Sequence, residues 1–182
     1  MNDSDEEIIL RYNEGESLAL RILIDRYTTH IYNYSIRFVG KDNASDITQE
    51  VFIKVWKNMG NFDIHKSSFK TWLFTIARNT ITDYLRKKKM IVFSDMNNED
   101  EEFTETIKDE VLLPSEAMEK LEDKEYLNNL LDKLPDNYKE VLMLYYQEEM
   151  TFAEIGESLN RPLNTVKSWH RRALIKLREE IK

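Results

Sequence analysis

The sequence predicts an all-α chain: two small helical domains joined by an acidic flexible linker. Three observations carry that prediction. The 182 residues include only four Gly and three Pro, so few breakers interrupt the chain. Apolar residues recur at helical spacing through both halves, with no sustained two-residue alternation. Charge is segregated along the chain. Residues 1–93 carry 14 basic and 12 acidic side chains, net +2; residues 94–124 carry 3 and 12, net −9; residues 125–182 carry 9 and 10, net −1. Hydrophobic residues make up 41% and aromatics 11% of the chain, enough for cores to form.

These numbers also exclude classes of function. There is no cysteine, so disulfides, thiolate zinc sites and cysteine nucleophiles are out. The opening MNDSDEEIIL has no apolar run of signal-peptide length. No stretch approaches the roughly 20 apolar residues of a membrane span. A cytoplasmic protein without membrane insertion is expected. The total charge of −8 argues against nucleic acid only if taken whole. Local field matters more than the total, and both flanks of the acidic middle hold basic patches.

Taken in order, Ile8, Ile9 and Tyr12 begin a short helix that Asn13, Glu14 and Gly15 interrupt. Ser17 is a candidate cap for the next helix, whose expected core stripe is Leu18, Ile22, Leu23, Tyr27, Ile31, Tyr34, Ser35 and Phe38. Gly40 ends it, as a glycine often does. His30 in this helix reads as a structural or surface residue.

Residues 43–59 form the next helix, with Ala44, Ile47, Val51, Val55 and Met59 as its core stripe. Its opposite face holds Asp46, Gln49, Glu50, Lys57 and Ile53, with Trp56 at the edge. An apolar residue among acids beside a tryptophan suggests a protein-binding patch. Packing of Ile53 and Trp56 against a neighbouring helix of their own domain is the equal alternative.

Residues 60–68 read as a loop containing Gly60, Phe62, Ser67 and Ser68. The strongest helix of the first half follows over 69–89. Phe69, Trp72, Leu73, Ile76, Ala77, Thr80, Tyr84 and Leu85 supply its core side. Lys70, Arg78, Asn79 and Arg86 project elsewhere, and Arg86 opens a run of four cations. That run suits phosphate contact or a neutralised helix C-terminus. Loop aromatics clustered with Asn79 and cations tip the balance to nucleic acid, since aromatic platforms in a basic groove suit unstacked bases.

Residues 94–114 are the acidic, weakly periodic linker. Residues 115–134 read as an amphipathic helix with Leu121, Leu127, Leu130, Leu131 and Leu134 apolar, broken at Leu134-Pro135. Residues 136–148 form another, with Tyr138, Val141, Leu142 and Tyr145 inward.

The last stretch, Thr151 to Lys182, reads as two helices around a tight turn. The first runs from about Phe152 to Ser158, and Pro162 stands where the second can begin. At about 100° per residue, take Val166 as zero. Ala173, Leu174, Leu177 and His170 then share one face. Asn164, Lys167, Ser168, Arg171, Arg172 and Arg178 share the other. Arg161 to Arg178 holds six Lys/Arg and no Asp/Glu. Such a helix can offer cations to phosphates and polar groups to base edges in a major groove. Its apolar face needs a core from elsewhere, which the two preceding helices would supply.

The segments match a known family. Asp46–Trp56 (DITQEVFIKVW) resembles the polymerase-binding helix of bacterial sigma factors. Phe69–Asn79 (FKTWLFTIARN) resembles their helix that recognises and melts the −10 element. Leu134-Pro135, Thr151–Ile155 (TFAEI) and Asn164–Ser168 (NTVKS) resemble their −35-binding domain. The presence of only these two domains resembles the extracytoplasmic-function (ECF, group 4) type of the sigma-70 family.

The resemblance implies a division into region 2 over 1–93, the linker over 94–114, and a helix-turn-helix region 4 over 115–182. It implies that Asp46, Gln49, Glu50, Ile53 and Trp56 meet the β′ clamp helices of core RNA polymerase. Phe62, Ser67, Ser68, Lys70, Arg78, Asn79 and Arg86 would serve the −10 element, with one base flipped into the loop. Lys167, Ser168, Arg171 and Arg172 would contact the −35 duplex, with Asn164 and Thr165 near its phosphates. The linker would follow the polymerase channel towards the RNA exit, where an acidic strand can occupy a path built for nucleic acid. The β flap, promoter DNA and an anti-sigma factor are the other implied partners, in a stress-response setting.

One departure stands out. Many members have Arg and then an aliphatic residue where this chain has Trp169 and His170. The expectation is that Trp169 swings in to fill the core while His170 lies at its rim.

A conventional helix-turn-helix regulator with an N-terminal sensor or dimerisation domain is the alternative. It predicts tight duplex binding by the protein alone. An enzyme is disfavoured: His30, His65 and His170 are dispersed and no Gly-rich phosphate loop exists. No cofactor or metal is expected.

Overall fold

The computed structural model describes residues 3–92 and 129–181. The linker at 94–114 and most of the helix expected over 115–134 lie outside the described residues. The chain divides into two compact units, Met1–Asn97 and Asn98–Lys182.

In the first unit, α1 (Asp5–Asn13) starts at a capping box. The Ser4 hydroxyl accepts the Glu7 N–H at 3.2 Å, and Glu7 Oε2 accepts the Ser4 N–H at 2.8 Å. This satisfies two of the N–H groups that a helix start leaves free. Asp5 takes hydrogen bonds from the Arg26 guanidinium and the Tyr27 hydroxyl, fastening α1 to α2 (Ala19–Val39).

Helix α2 corrects two expectations. Its N-cap is Leu18, with no side-chain cap; Ser17 instead donates its N–H to the Gly15 carbonyl in the preceding turn. The stripe also turns. Leu18 and Ile22 are exposed, while Ala19, Leu20, Leu23, Tyr27, Ile31, Tyr34, Ser35 and Val39 are buried. Leu18 and Ile22 lie about 160–200° from Leu20 at 100° per residue. Once Leu20, Leu23, Tyr27 and Ile31 share the core side, those two must face out. Gly40 ends α2 as expected, at φ 77°, a conformation that costs a glycine little. Its carbonyl then accepts the Ala44 N–H, so the same residue opens α3 (Lys41–Asn58).

The expected α3 stripe of Ala44, Ile47, Val51, Val55 and Met59 is buried, joined by Thr48 and Phe52. After a short 3-10 turn at Met59–Asn61 and the loop, α4 (Phe69–Val92) packs on α3 and α2. Phe69, Leu73, Ala77 and Thr80 are buried as expected. Thr71, Phe74 and Ile81 join them, whereas Trp72, Ile76, Tyr84 and Leu85 are half-buried. Tyr34 meets Phe74 edge-on at 5.3 Å in the centre of this core.

The second unit begins with helical residues 129–132. Leu130, Leu131 and Leu134 pack with Leu142, Ala173, Leu174 and Leu177, and Tyr138 closes the side. Helix α5 (Asp136–Tyr146) buries Val141, Leu142, Met143 and Leu144, together with Lys139, whose ammonium lies 3.4 Å from Asp132. Helix α6 (Phe152–Leu159) opens on a second capping box, formed by Thr151 and Glu154. Helix α7 (Leu163–Ile181) follows a turn in which Asn160 is left-handed, at φ 51°. Pro162 stands just ahead of α7, where its carbonyl accepts the Thr165 and Val166 N–H groups. Preceding segments therefore do supply the core of this helix-turn-helix. Among the described residues, no helix is long and apolar enough to cross a membrane.

Candidate functional site

Three surfaces carry the residues singled out above. The first is the outer face of α3. Asp46, Gln49 and Glu50 are exposed on it. Ile53 is 50% and Trp56 62% exposed. The two do not bury themselves against their own unit. Beside them runs an open, mainly apolar groove of about 470 Å³, lined by Ile24 and Thr28 of α2 and by Thr48, Gln49, Phe52, Ile53 and Trp56 of α3. Lys54 pairs with Glu50 at 2.9 Å and donates to the Thr80 hydroxyl at 3.0 Å. It thereby links this face to α4.

The second surface joins the loop to α4. Phe62 lies 4.8 Å from the Trp72 ring and meets Phe69 edge-on at 5.9 Å. It is half-buried, so it anchors the loop as well as offering a ring edge. Ser68 acts locally as a cap: its hydroxyl accepts the Thr71 N–H at 3.2 Å and lies 2.8 Å from the Thr71 hydroxyl. The Ser67 hydroxyl donates to the Ser68 carbonyl at 3.3 Å. Asp63 accepts the His65 N–H, and this bond, helped by Lys66, lowers its pKa. Asn79 and Arg86 are exposed within about 20° of one another around α4. Arg78 sits about 80–100° away from them and Lys70 further still, both half-buried. The predicted cluster is thus a core of two residues with two flanking cations. Trp72, assigned above to the core side, lies close to Asn79 around the helix and is half-exposed. The helical angle carried that signal.

The third surface is α7. Val166, Ala173, Leu174 and Leu177 are buried. Asn164 and Lys167 are exposed, and Thr165, Ser168, Arg171 and Arg172 are half-exposed. The predicted polar face therefore holds. The expectation that Trp169 fills the core is not met. His170 enters an aromatic box, 4.9 Å from Tyr145, 5.6 Å from Tyr146 and 5.0 Å from Phe152. Burial there lowers its pKa from the ordinary 6.5. Trp169 stays half-exposed beneath the Arg161 guanidinium, 5.7 Å from ring centre to Cζ. Trp169 lies about 100° around the helix from His170, on the side of Arg161, so the rings of α5 and α6 meet the imidazole instead.

This geometry meets a direct match of sequence. Residues 23–90 match Sigma-70 region 2, and residues 130–179 match Sigma-70, region 4. The chain is 35% identical over 179 residues to the ECF RNA polymerase sigma factor SigW of Bacillus subtilis (strain 168), spanning 96% of this chain and 95% of that one. The chain belongs to the ECF RNA polymerase sigma factors.

It is also 31% identical over 171 residues to the RNA polymerase sigma-H factor of Pseudomonas aeruginosa, covering 91% and 88% of the two chains. Its fold matches that of CnrH, solved with the cytosolic domain of CnrY, at a TM-score of 0.69 and 21% identity, over 98% of this chain and 97% of that one. The sigma factor RpoE of Bartonella quintana, solved with the anti-sigma factor NepR, matches at 0.64 and 21%, over 92% and 95%. In this sigma factor the α3 and α4 surfaces fall within the region 2 match, and α7 within the region 4 match. Promoter-specific initiation by RNA polymerase is accordingly its function, and an independent helix-turn-helix regulator is not favoured.

Proposed function

We propose that the sigma factor divides its labour by unit: residues 1–93 bind core polymerase and the −10 element, residues 115–182 bind the −35 element, and residues 94–114 link them. The observation that carries this is the exposure of Ile53 and Trp56 among Asp46, Gln49 and Glu50. A large apolar pair left in water beside Asp46 and Glu50 fits a partner that brings both an apolar pocket and cations. The β′ clamp helices are that partner, with the β flap engaging the second unit.

On α4, Asn79 and Arg86 face the −10 strands, with Lys70 and Arg78 at the flanks. Phe62, Ser67 and Ser68 border the pocket for a flipped base. Its unstacking costs a few kcal/mol, which capture partly offsets. On α7, Lys167, Ser168, Arg171 and Arg172 read the −35 duplex while Asn164 and Thr165 sit near its phosphates. The factor works in the cytoplasm, catalyses no reaction itself, and uses no cofactor. An anti-sigma factor silences it by covering the α3 and α7 faces.

Capture by core polymerase tests this assignment. Trp56→Ala combined with Ile53→Ala should weaken capture by at least about thirtyfold, as loss of an interface hot spot of roughly 2 kcal/mol does. The chain should melt at the wild-type temperature, because both side chains are exposed. Undiminished capture would remove α3 from the interface.

A further inference from the structure

We propose that Trp169 is a positioning residue that presents the Arg161 guanidinium to a backbone phosphate beside the −35 duplex. The proposal rests on the sigma-factor function and adds a contact to it.

Arg161 occupies the turn between α6 and α7 and is exposed. Its backbone has little slack. Its N–H donates to the Gly156 carbonyl at 2.8 Å. Its own carbonyl passes so close to Gly156 that a Cβ there would lie only 2.9 Å away. Asn160, just before it, is held left-handed. The side chain is held separately, with the guanidinium over the Trp169 indole. One exposed arginine is therefore fixed at both ends, by the turn and by a ring from the second turn of α7.

An arginine in solution loses rotamer freedom when it takes up a phosphate. One already resting on an indole has lost much of it beforehand, so binding costs less. The two contacts are compatible. An indole engages the face of the guanidinium, while phosphate oxygens take the N–H groups at its rim.

The placement around α7 supplies the second argument. Lys167, Arg171 and Arg178 lie about 100–140° from Val166 in one direction. Trp169, Arg172, Lys176 and Thr165 lie about 60–120° in the other. A helix in the major groove has a phosphate backbone on each side of it. The Lys167 edge lies nearer one strand. Arg161, carried on Trp169, extends the opposite edge towards the other.

The test is the salt dependence of binding by the reconstituted holoenzyme. Its probe is a duplex recovered from random-sequence DNA by the wild-type holoenzyme. Each phosphate contact contributes about 0.9 to the slope of log affinity against log salt. Arg161→Ala should lower that slope by about 1. Trp169→Ala should keep most of that slope, since Arg161 remains, and weaken binding about threefold or more at fixed salt. The double variant should go no further than Arg161→Ala alone, and Trp169→Phe should recover most of the loss in affinity.

Capture by core polymerase should not change in any of these variants. Arg161→Ala alters only an exposed turn side chain, so its slope remains decisive if Trp169→Ala melts early. An unchanged slope in Arg161→Ala overturns the proposal. So does additivity in the double variant. A changed base preference in Trp169→Ala also overturns it, because the indole would then read bases itself. If the wild-type holoenzyme recovers no duplex, the sigma-factor function fails first, and this inference with it.

Discussion

His170 sits where its surroundings oppose a charge. The rings facing it come from α5 (Tyr145 and Tyr146) and α6 (Phe152), and none of them is an acid. Its Nε2 is buried with no partner among the described residues. A protonated ring would be stripped of water without gaining a hydrogen-bond partner for Nε2, and this desolvation lowers its pKa below 6.5. The sign follows. The unfolded chain binds this proton more readily than the folded one, so the contribution to stability is present in full above pH 6.5. It is lost as pH falls through the lowered folded value. The melting temperature of wild type should therefore drop more steeply below pH 6.5 than that of His170→Phe, which keeps a ring without the titration. Parallel curves for the two proteins would show that His170 does not titrate in this box. Helical angles place His170 on the core face from sequence alone. They do not reveal the box, because its walls come from two other helices. That is why Trp169, and not His170, was expected to enter the core.

At the level of elements, Gly156 decides whether the helix-turn-helix can close. Two effects compete in Gly156→Ala. An alanine in a helix interior gains roughly 0.5–1 kcal/mol over glycine. Its Cβ would meet the Arg161 carbonyl at 2.9 Å, and backbone must move to relieve that. Overpacking of this kind costs about 1–3 kcal/mol, so the substitution should be net destabilising. Urea unfolding should give a lower midpoint, and promoter binding should fall with it as the turn shifts Arg161. An unchanged or raised midpoint would mean that the turn adapts freely. Local chemistry made several elements legible. Gly40 marked the α2 end, and the α6 start was expected near Phe152. Ser17 misled, because a serine near a helix start is only a candidate cap until the turn geometry selects the first residue. The α2 stripe slipped for a related reason. Apolar residues stand on both of its sides, and only packing against α1, α3 and α4 chooses between them.

Under the proposed division of labour the contacts lie on separate units, so damage should be separable. Both units and their order along the chain were readable from motifs and from the segregation of charge, since a polymerase face and a duplex face need different residue types. The exposure of Trp56 and the pairing of Arg161 with Trp169 were not, because each depends on what the fold leaves uncovered. Lys167→Ala together with Arg171→Ala removes two candidate base contacts from α7 while leaving α3 untouched. Good base contacts discriminate by about 1–3 kcal/mol each, so losing both should weaken promoter recognition by at least roughly thirtyfold. Run-off transcription from a selected promoter should then fall to background, while capture of core polymerase stays at the wild-type level. The pair Ile53→Ala with Trp56→Ala should fail one step earlier, at capture. Loss of capture in the α7 variant would contradict the division of labour, for it would mean that residues facing DNA also hold the enzyme. Normal transcription from that variant would instead show that the −35 contact lies elsewhere on the second unit. A mixture of the two variants sharpens the distinction. The α7 variant should occupy polymerase without using promoters, so adding it in excess should inhibit wild-type transcription, whereas excess of the α3 variant should not.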